Sequence, residues 1–229
     1  MLDTLTLALI LIPCLIVAIV FHEVAHGWAA LALGDTTARD RGRLSLNPIK
    51  HVDPIGTLLV PGALALFGGP IFGWAKPVPV DQQKLDNPRY GMMAVAAAGP
   101  GTNIALALIG AVVFGIIAGF ATNWGSALPE MAYTAFGAFI LINVFLALFN
   151  MLPIPPFDGS HIVGGLLPRS WANHWQKVQA MGMLLIVVLI GATWAFPEAR
   201  WIENTILPPV EWLSGIFYGV AEAIANFVS

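Results

Sequence analysis

Apolar residues recur along the chain in long runs, at 4–33, 55–73, 91–120, 131–151 and 177–196, with a weaker run at 206–228. Most reach the roughly 20 residues that a helix needs to cross a bilayer. Lipid offers the backbone no water to bond with, so runs of this kind predict a bundle of helices. Asp3 or Thr4 caps the first helix, Pro13 is expected to bend it, and Gly34-Asp35 ends it. Pro61-Gly62 and Gly68-Gly69-Pro70 interrupt the run at 55–73, which is expected to enter the membrane and leave by the same side, with Gly62, Gly68 and Gly69 as flex points of a gate. Arg43-Leu44-Ser45-Leu46 alternates just before the breaker Asn47-Pro48 and predicts a short strand. The last run has apolar residues at 213, 216, 217, 220, 224, 227 and 228, a pattern that suits a surface helix or a final span. The expected fold class is an all-α polytopic membrane protein of about five to six transmembrane helices, with a re-entrant segment at 55–73 and a short β element near 43–47.

Composition excludes a soluble domain, because 58% of the 229 residues are hydrophobic and only 10% are charged. The polar connections are too short to hold a separate domain, so residues 1–229 are expected to form a single membrane-embedded domain with a core at 4–165 and accessory helices at 175–229. The first run is too long for a secretory signal and lacks a basic start, so it is expected to remain in the mature chain. Cys14 is the only cysteine, which excludes an internal disulfide and argues against a thiolate metal cluster. No basic patch with interleaved aromatics points to nucleic acid. Lysine and arginine favour cytoplasmic connections. If 55–73 re-enters, nine of the ten basic residues fall on one side and only Arg200 on the other. This predicts an outside amino terminus and cytoplasmic connections at 35–51, 74–90 and 152–176.

The sequence FHEVAHG, residues 21–27, sets three ionisable side chains inside the first apolar run. Each is expensive in hydrocarbon unless paired or coordinated, which makes the group a functional candidate. His22 and His26 are four apart, so on a helix both imidazoles reach one ion, with zinc the expected metal. Glu23 is then the general base rather than a ligand. A catalytic zinc site takes three protein ligands and keeps one position open. The candidates for the third are His51, Asp53, Asp158, His161 and His174. Eight residues separate His26 from Gly34, roughly 12 Å along a helix, so the ion lies within the membrane. Depth favours Asp158, which follows an apolar helix stopped by Pro153, Pro155 and Pro156; such irregular backbone is tolerated there only when packed in protein or lining a cavity. Pairing Asp158 with the histidines requires the runs at 4–33 and 131–151 to be parallel, so only one of the two intervening runs spans. His51 and Asp53 suit a turn at the membrane surface, His161 a position next to the ligands or a helix start, and His174, between Trp171 and Trp175, an interfacial anchor.

FHEVAHG, AAAGPGTN at 96–103 and NVFLALFNMLPIPPFDG at 143–159 together resemble the three signatures of the site-2 protease family of intramembrane zinc metalloproteases. The likeness covers roughly residues 15 to 165, and NPIKHVDPIGT and GWAKPVPV resemble stretches of its small prokaryotic members. It implies one zinc ion held by His22, His26 and Asp158, Glu23 as catalytic base, and Asn150 as an oxyanion-stabilising residue. It further implies regulated intramembrane proteolysis of a single-span membrane protein already trimmed by another protease, at a multi-pass site in the cell membrane that opens toward the cytoplasm. No PDZ domain or CBS pair is expected. Hydrolysis inside a bilayer needs a water path, for which Asn103, Asn143 and Asn150 are candidates, although intramembrane asparagines also bond helices together. A substrate helix must be unwound, and the edge of the strand at 43–46 or the re-entrant segment would offer it pairing. The alternatives are an ion transporter, against which the lack of visible internal repeats weighs, and a non-proteolytic zinc-binding membrane protein, which has no use for Glu23.

Overall fold

The computed structural model describes residues 3–66, 73–123, 128–196, 198, 200 and 202–229. Among them the chain is helical: α1 (Thr4–Ala32), α2 (Thr37–Asp40), α3 (Val60–Leu66), α4 (Pro88–Asn123), α5 (Glu130–Asn150), α6 (Asp158–Leu166), α7 (Ala172–Ala180), α8 (Gly182–Ala195) and α9 (Leu207–Val228). Helices α1, α4 and α5 are each long and apolar enough to cross a membrane, and α7 with α8 makes a fourth if that pair, bent by 59°, counts as one span. Leu5, Leu9 and Ile12 of α1 are 56–70% exposed, an arrangement that lipid and not water would cover.

Local chemistry explains the ends of α1. The Asp3 carboxylate accepts the Thr6 N–H at 2.7 Å and the Thr6 hydroxyl at 3.0 Å, which caps the first turn. At the other end Gly34 takes φ +100°, a left-handed conformation that favours glycine, and the Asp35 N–H returns to the Ala30 carbonyl at 2.9 Å.

The chain divides into two compact units, the first comprising residues 1–18, 101–149 and 202–229. Its core is Ala107, Ala111, Ile140, Val144, Val210, Phe217 and Ala221. Gly115 and Gly119 of α4 let α9 approach closely: a Cβ on either would meet the carbonyl oxygen of Ala221 or Ala225 at 2.5–2.7 Å. The buried stripe of α9 is Val210, Ser214, Phe217 and Ala221; of the apolar row read from sequence, Phe217 is in the core, Leu213 packs against it, and Ile224 and Val228 face Gly115 and Gly119. Asn103 donates to the Ala18 carbonyl at 3.1 Å and to the Asn143 side chain at 2.9 Å, and Asn143 donates to the Phe139 carbonyl at 2.8 Å. Both asparagines are fully buried and bond helices together.

The second unit comprises residues 19–100 and 150–201. The strand expected near 43–47 does not form. The Arg43 N–H closes the turn after α2 onto the Ala38 carbonyl at 2.9 Å, the Ser45 carbonyl accepts the His51 Nε2–H at 2.8 Å, and the Ser45 hydroxyl accepts the Asn47 N–H. Groups committed to local and side-chain partners cannot build a ladder, so the alternation of residues 43–46 offers no sheet edge. In the 55–73 segment, a π-helical turn at Pro54–Leu59 leads into α3. Beside Gly62 there is open space, while Gly68 and Gly69 lie outside the described residues.

An extended stretch at 73–81 is tied to the end of α1. Asp35, wholly buried, accepts the N–H of Thr37 at 2.9 Å and that of Asp81 at 2.7 Å, and the Asp86 N–H reaches the Leu33 carbonyl at 2.8 Å. Burial acts to raise the pKa of Asp35, but the Thr37 hydroxyl, the N–H groups of Asp81 and Thr37, and the charge of Lys84 outweigh it and hold the carboxyl below its ordinary 3.8. A carboxyl lowered on folding stabilises the fold above its unfolded pKa, and that contribution is lost as pH falls through the folded value. Asp35→Asn is therefore expected to lower the thermal midpoint of the detergent-solubilised protein by several degrees at neutral pH. The deficit should close as pH drops below about 4; scanning calorimetry across that range checks it.

Candidate metal centre

His22, Glu23 and His26 lie in the part of α1 that belongs to the second unit, on a helix whose i, i+4 spacing stacks the imidazoles on one face. Their rings meet edge to face at 4.7 Å between centroids, with the Nε2 atoms 3.1 Å apart. Asp158, the first residue of α6, places Oδ2 3.1 Å from His22 Nε2 and 3.4 Å from His26 Nε2. Of the five candidates for a third ligand, Asp158 is the one that joins the histidines in a metal-sized group among the described residues.

The Asp158 side chain arrives there because the chain around it is packed on both flanks. After α5 the prolines at 153, 155 and 156 forbid a continuing helix, and turns carry the chain to Asp158. Gly159 starts α6 against the preceding turn, where a Cβ would collide with the carbonyl oxygens of Met151 and Leu152. The Ser160 carbonyl accepts the Trp175 indole N–H at 2.8 Å, and the joint between α7 and α8 seats Gly182 on Pro155 and Pro156.

Two further contributions come from α4. The Val95 carbonyl lies 2.7 Å from His26 Nδ1. A carbonyl only accepts, so Nδ1 carries the proton and the neutral ring turns a lone pair at Nε2 toward the site. Gly99 lets α4 come against both rings, since a Cβ there would stand 2.5 Å from His26 Nε2 and 2.7 Å from His22 Cε1.

These residues fit a tetrahedral zinc ion. With bonds of about 2.0–2.1 Å, ligand atoms on such an ion stand roughly 3.3 Å apart, and the three separations here are 3.1, 3.1 and 3.4 Å. Asp158 Oδ2 is a buried atom that receives no hydrogen bond, which an ion would satisfy. Two imidazoles and a carboxylate suit zinc, and three ligands leave its fourth position open. The Asp158 side chain keeps 18% of its surface exposed, so the centre is not sealed.

Glu23 is oriented from outside the helix. Its Oε2 accepts the Val78 N–H at 2.9 Å. Val78 lies between Pro77 and Pro79, which have no N–H, so it is the one backbone donor of that tripeptide.

The other candidates lie elsewhere. His51 is buried and holds the Ser45 carbonyl, while Asp53 caps the turn at Pro54–Leu59 by accepting the N–H groups of Ile55 and Gly56. His161 Nδ1 lies 3.2 Å from the Gln179 side-chain amide, and His174 is exposed on α7. Asn150 is half-buried at the last position of α5. The positions missed from sequence are Val78, Val95 and Gly99. For two of them a signal was present, in the prolines that flank Val78 and in the glycine of AAAGPGTN.

The profile of peptidase family M50 matches residues 10–191, and the chain belongs to that family. It is 37% identical to "Putative zinc metalloprotease YwhC" of Bacillus subtilis (strain 168), over 78% of each chain. It is 25% identical to "Putative zinc metalloprotease Rip2" of Mycolicibacterium smegmatis, over 76% of this chain and 64% of that one. With the protein of the same name from Mycobacterium tuberculosis (strain ATCC 25618 / H37Rv) it shares 27% identity over 91% of this chain and 75% of the relative. No solved structure matches the chain. Family and apolar helices together make this a multi-pass membrane protein.

Gly99→Ala is expected to push the imidazoles apart and weaken zinc binding roughly 10–100-fold, the range seen when ligand-orienting contacts are disturbed. Gly101→Ala, where a Cβ meets open space, should leave metal content unchanged. Elemental analysis of the two purified variants checks both.

Proposed function

We propose that this member of peptidase family M50 is an intramembrane zinc metalloendopeptidase that hydrolyses peptide bonds within or beside the transmembrane segment of a membrane-protein substrate. The observation that carries this reading is the convergence of His22, His26 and Asp158 on one ion-sized gap, with Glu23 held next to the first ligand but outside the ligand set. A single zinc ion bound there supplies Lewis acidity, making water nucleophilic at neutral pH and polarising the scissile carbonyl. Glu23 takes the proton from the attacking water and delivers it to the leaving amine. The Val78 N–H fixes which carboxylate oxygen is occupied and leaves Oε1 for that transfer. Asn150 donates to the developing oxyanion, a role supported by its position at the end of α5 and by the motif it completes.

The substrate is a single-span protein, shortened beforehand by another protease so that one end reaches the open side of the centre. The basic residues support a cytoplasmic opening, with the 35–51, 74–90 and 152–176 connections on that side. About five to six helices span the membrane in this reading, with α7–α8 as one broken span beside α1, α4 and α5 and the 22-residue α9 as another; the re-entry expected of 55–73 falls partly outside the described residues. Family membership does not favour the transporter or the non-proteolytic zinc protein.

Glu23→Gln is expected to keep wild-type zinc and to lose about 10²–10⁴-fold in cleavage of a single-span reporter. Cleavage by the variant at the wild-type rate removes Glu23 from the chemistry, and cleavage by neither protein counts against a peptidase.

A further inference from the structure

Among the cations of the second unit, Arg39 and Lys84 pair with Asp40 and Asp81, whereas Arg41, Arg43, Lys50 and Lys76, like Arg89, Arg169 and Lys177, make no ion pair among the described residues. Three of them, Arg41, Arg43 and Lys76, line a cavity of about 390 Å³ together with Pro77 and Pro79. The Arg43 guanidinium donates from Nη2 to the Lys76 carbonyl at 2.9 Å, and its Nε–H is buried with no acceptor. A buried charged donor without a partner is costly, and three unneutralised cations around one cavity repel each other. An anion relieves both.

The surroundings indicate which anion. Leu46, Ile49, Ile55 and Leu59, in the turns that follow Arg43, are exposed by 55–77%. Cations beside exposed large apolar side chains, nine or more residues past the end of a membrane-crossing helix, match the boundary where headgroup phosphates sit above acyl chains. A water-soluble anion has no use for the apolar rim. We propose that this cavity is a binding site for the phosphate of an anionic phospholipid headgroup, with the turns at 46–59 lying against the acyl chains. Pro77 and Pro79 flank the residue whose N–H holds Glu23, so an occupied site stiffens the segment that orients the base.

The test uses the full-length protein in neutral detergent, offered equal amounts of phosphatidylglycerol and phosphatidylcholine, with retained lipid read by native mass spectrometry. Wild type is expected to retain phosphatidylglycerol on the order of a hundredfold over phosphatidylcholine. The Arg41→Gln/Arg43→Gln/Lys76→Gln variant should lose roughly fivefold per cation removed, and Arg169→Gln/Lys177→Gln nothing. Zinc content reports folding. If the triple variant misfolds, Arg41→Gln and Lys76→Gln singly, neither of whose side chains makes a hydrogen bond among the described residues, read the same loss. Equal retention of the two lipids by wild type, or undiminished phosphatidylglycerol in folded variants, overturns the proposal. Inorganic phosphate that binds as tightly as the lipid reduces the cavity to a soluble-anion site and overturns the lipid assignment. Unchanged lipid retention together with a loss of cleavage confined to acidic-tailed substrates assigns the cavity to the substrate instead, and equally overturns it.

Discussion

Two imidazole nitrogens and a carboxylate oxygen, crowded within 3.4 Å of one another on apolar helices, repel as bare lone pairs unless a proton or a metal cation stands among them. Much of the second unit serves that crowding. The i, i+4 spacing on α1 supplies two of the atoms, and the Val95 carbonyl sets which nitrogen of His26 faces inward. Gly99 lets the rings sit where any side chain would displace them, and Gly159 lets α6 begin where Asp158 reaches across. Each device brings donor atoms closer than they would settle by themselves. The binding energy of the ion is thus also energy that holds α1, α4 and α6 together.

The carboxylate beside the first histidine depends on a different part of the chain. Glu23 is held by a backbone N–H fifty-five positions away, and a hydrogen bond to a charged group is worth about 1.5–3 kcal/mol. That donor is useful only if the extended stretch at 73–81 is itself fixed. Asp35 fixes one end through the Asp81 N–H, and the His51 carbonyl fixes the other through the Lys76 N–H at 2.8 Å. Buried polar residues beyond the end of α1 therefore govern the geometry of a base inside it, although none of them touches the metal centre.

Hydropathy alone located most of the helices. The runs read at 4–33, 91–120, 131–151 and 206–228 became α1, α4, α5 and α9 with ends shifted by no more than three residues, because spanning length is a coarse demand that composition meets directly. The run at 177–196 hid a break, which lies at Met181, before Gly182 packs on Pro155 and Pro156. The strand failed because alternation describes one strand, whereas a sheet needs a second, and here side chains took the carbonyls first. Asn103 and Asn143, candidates for a water path, spend their amides on carbonyls and on each other. The three side chains that the structure brings together, His22, His26 and Asp158, had been named from spacing and depth. Val78 and Val95 act through backbone atoms, which their own side chains do not announce, so the only traces were the prolines that flank Val78 and the glycine at 99.

The same arrangement separates hydrolysis from transport. A transported ion needs ligands that release it, and such sites use mobile carbonyls or carboxylates on segments that rock. Here the His26 ring is locked from behind by Val95, and the turn bearing Asp158 is backed by Met151, Leu152, Trp175 and Gly182. Rigid ligands suit an ion that stays. A resident ion with three protein ligands has chemistry left to do at its fourth position, and the carboxylate beside it is aimed by a hydrogen bond instead of being consumed as a ligand. Glu23, half-buried beside the centre, accepts a backbone N–H and stays out of the ligand group, an arrangement that suits proton transfer better than a purely structural site.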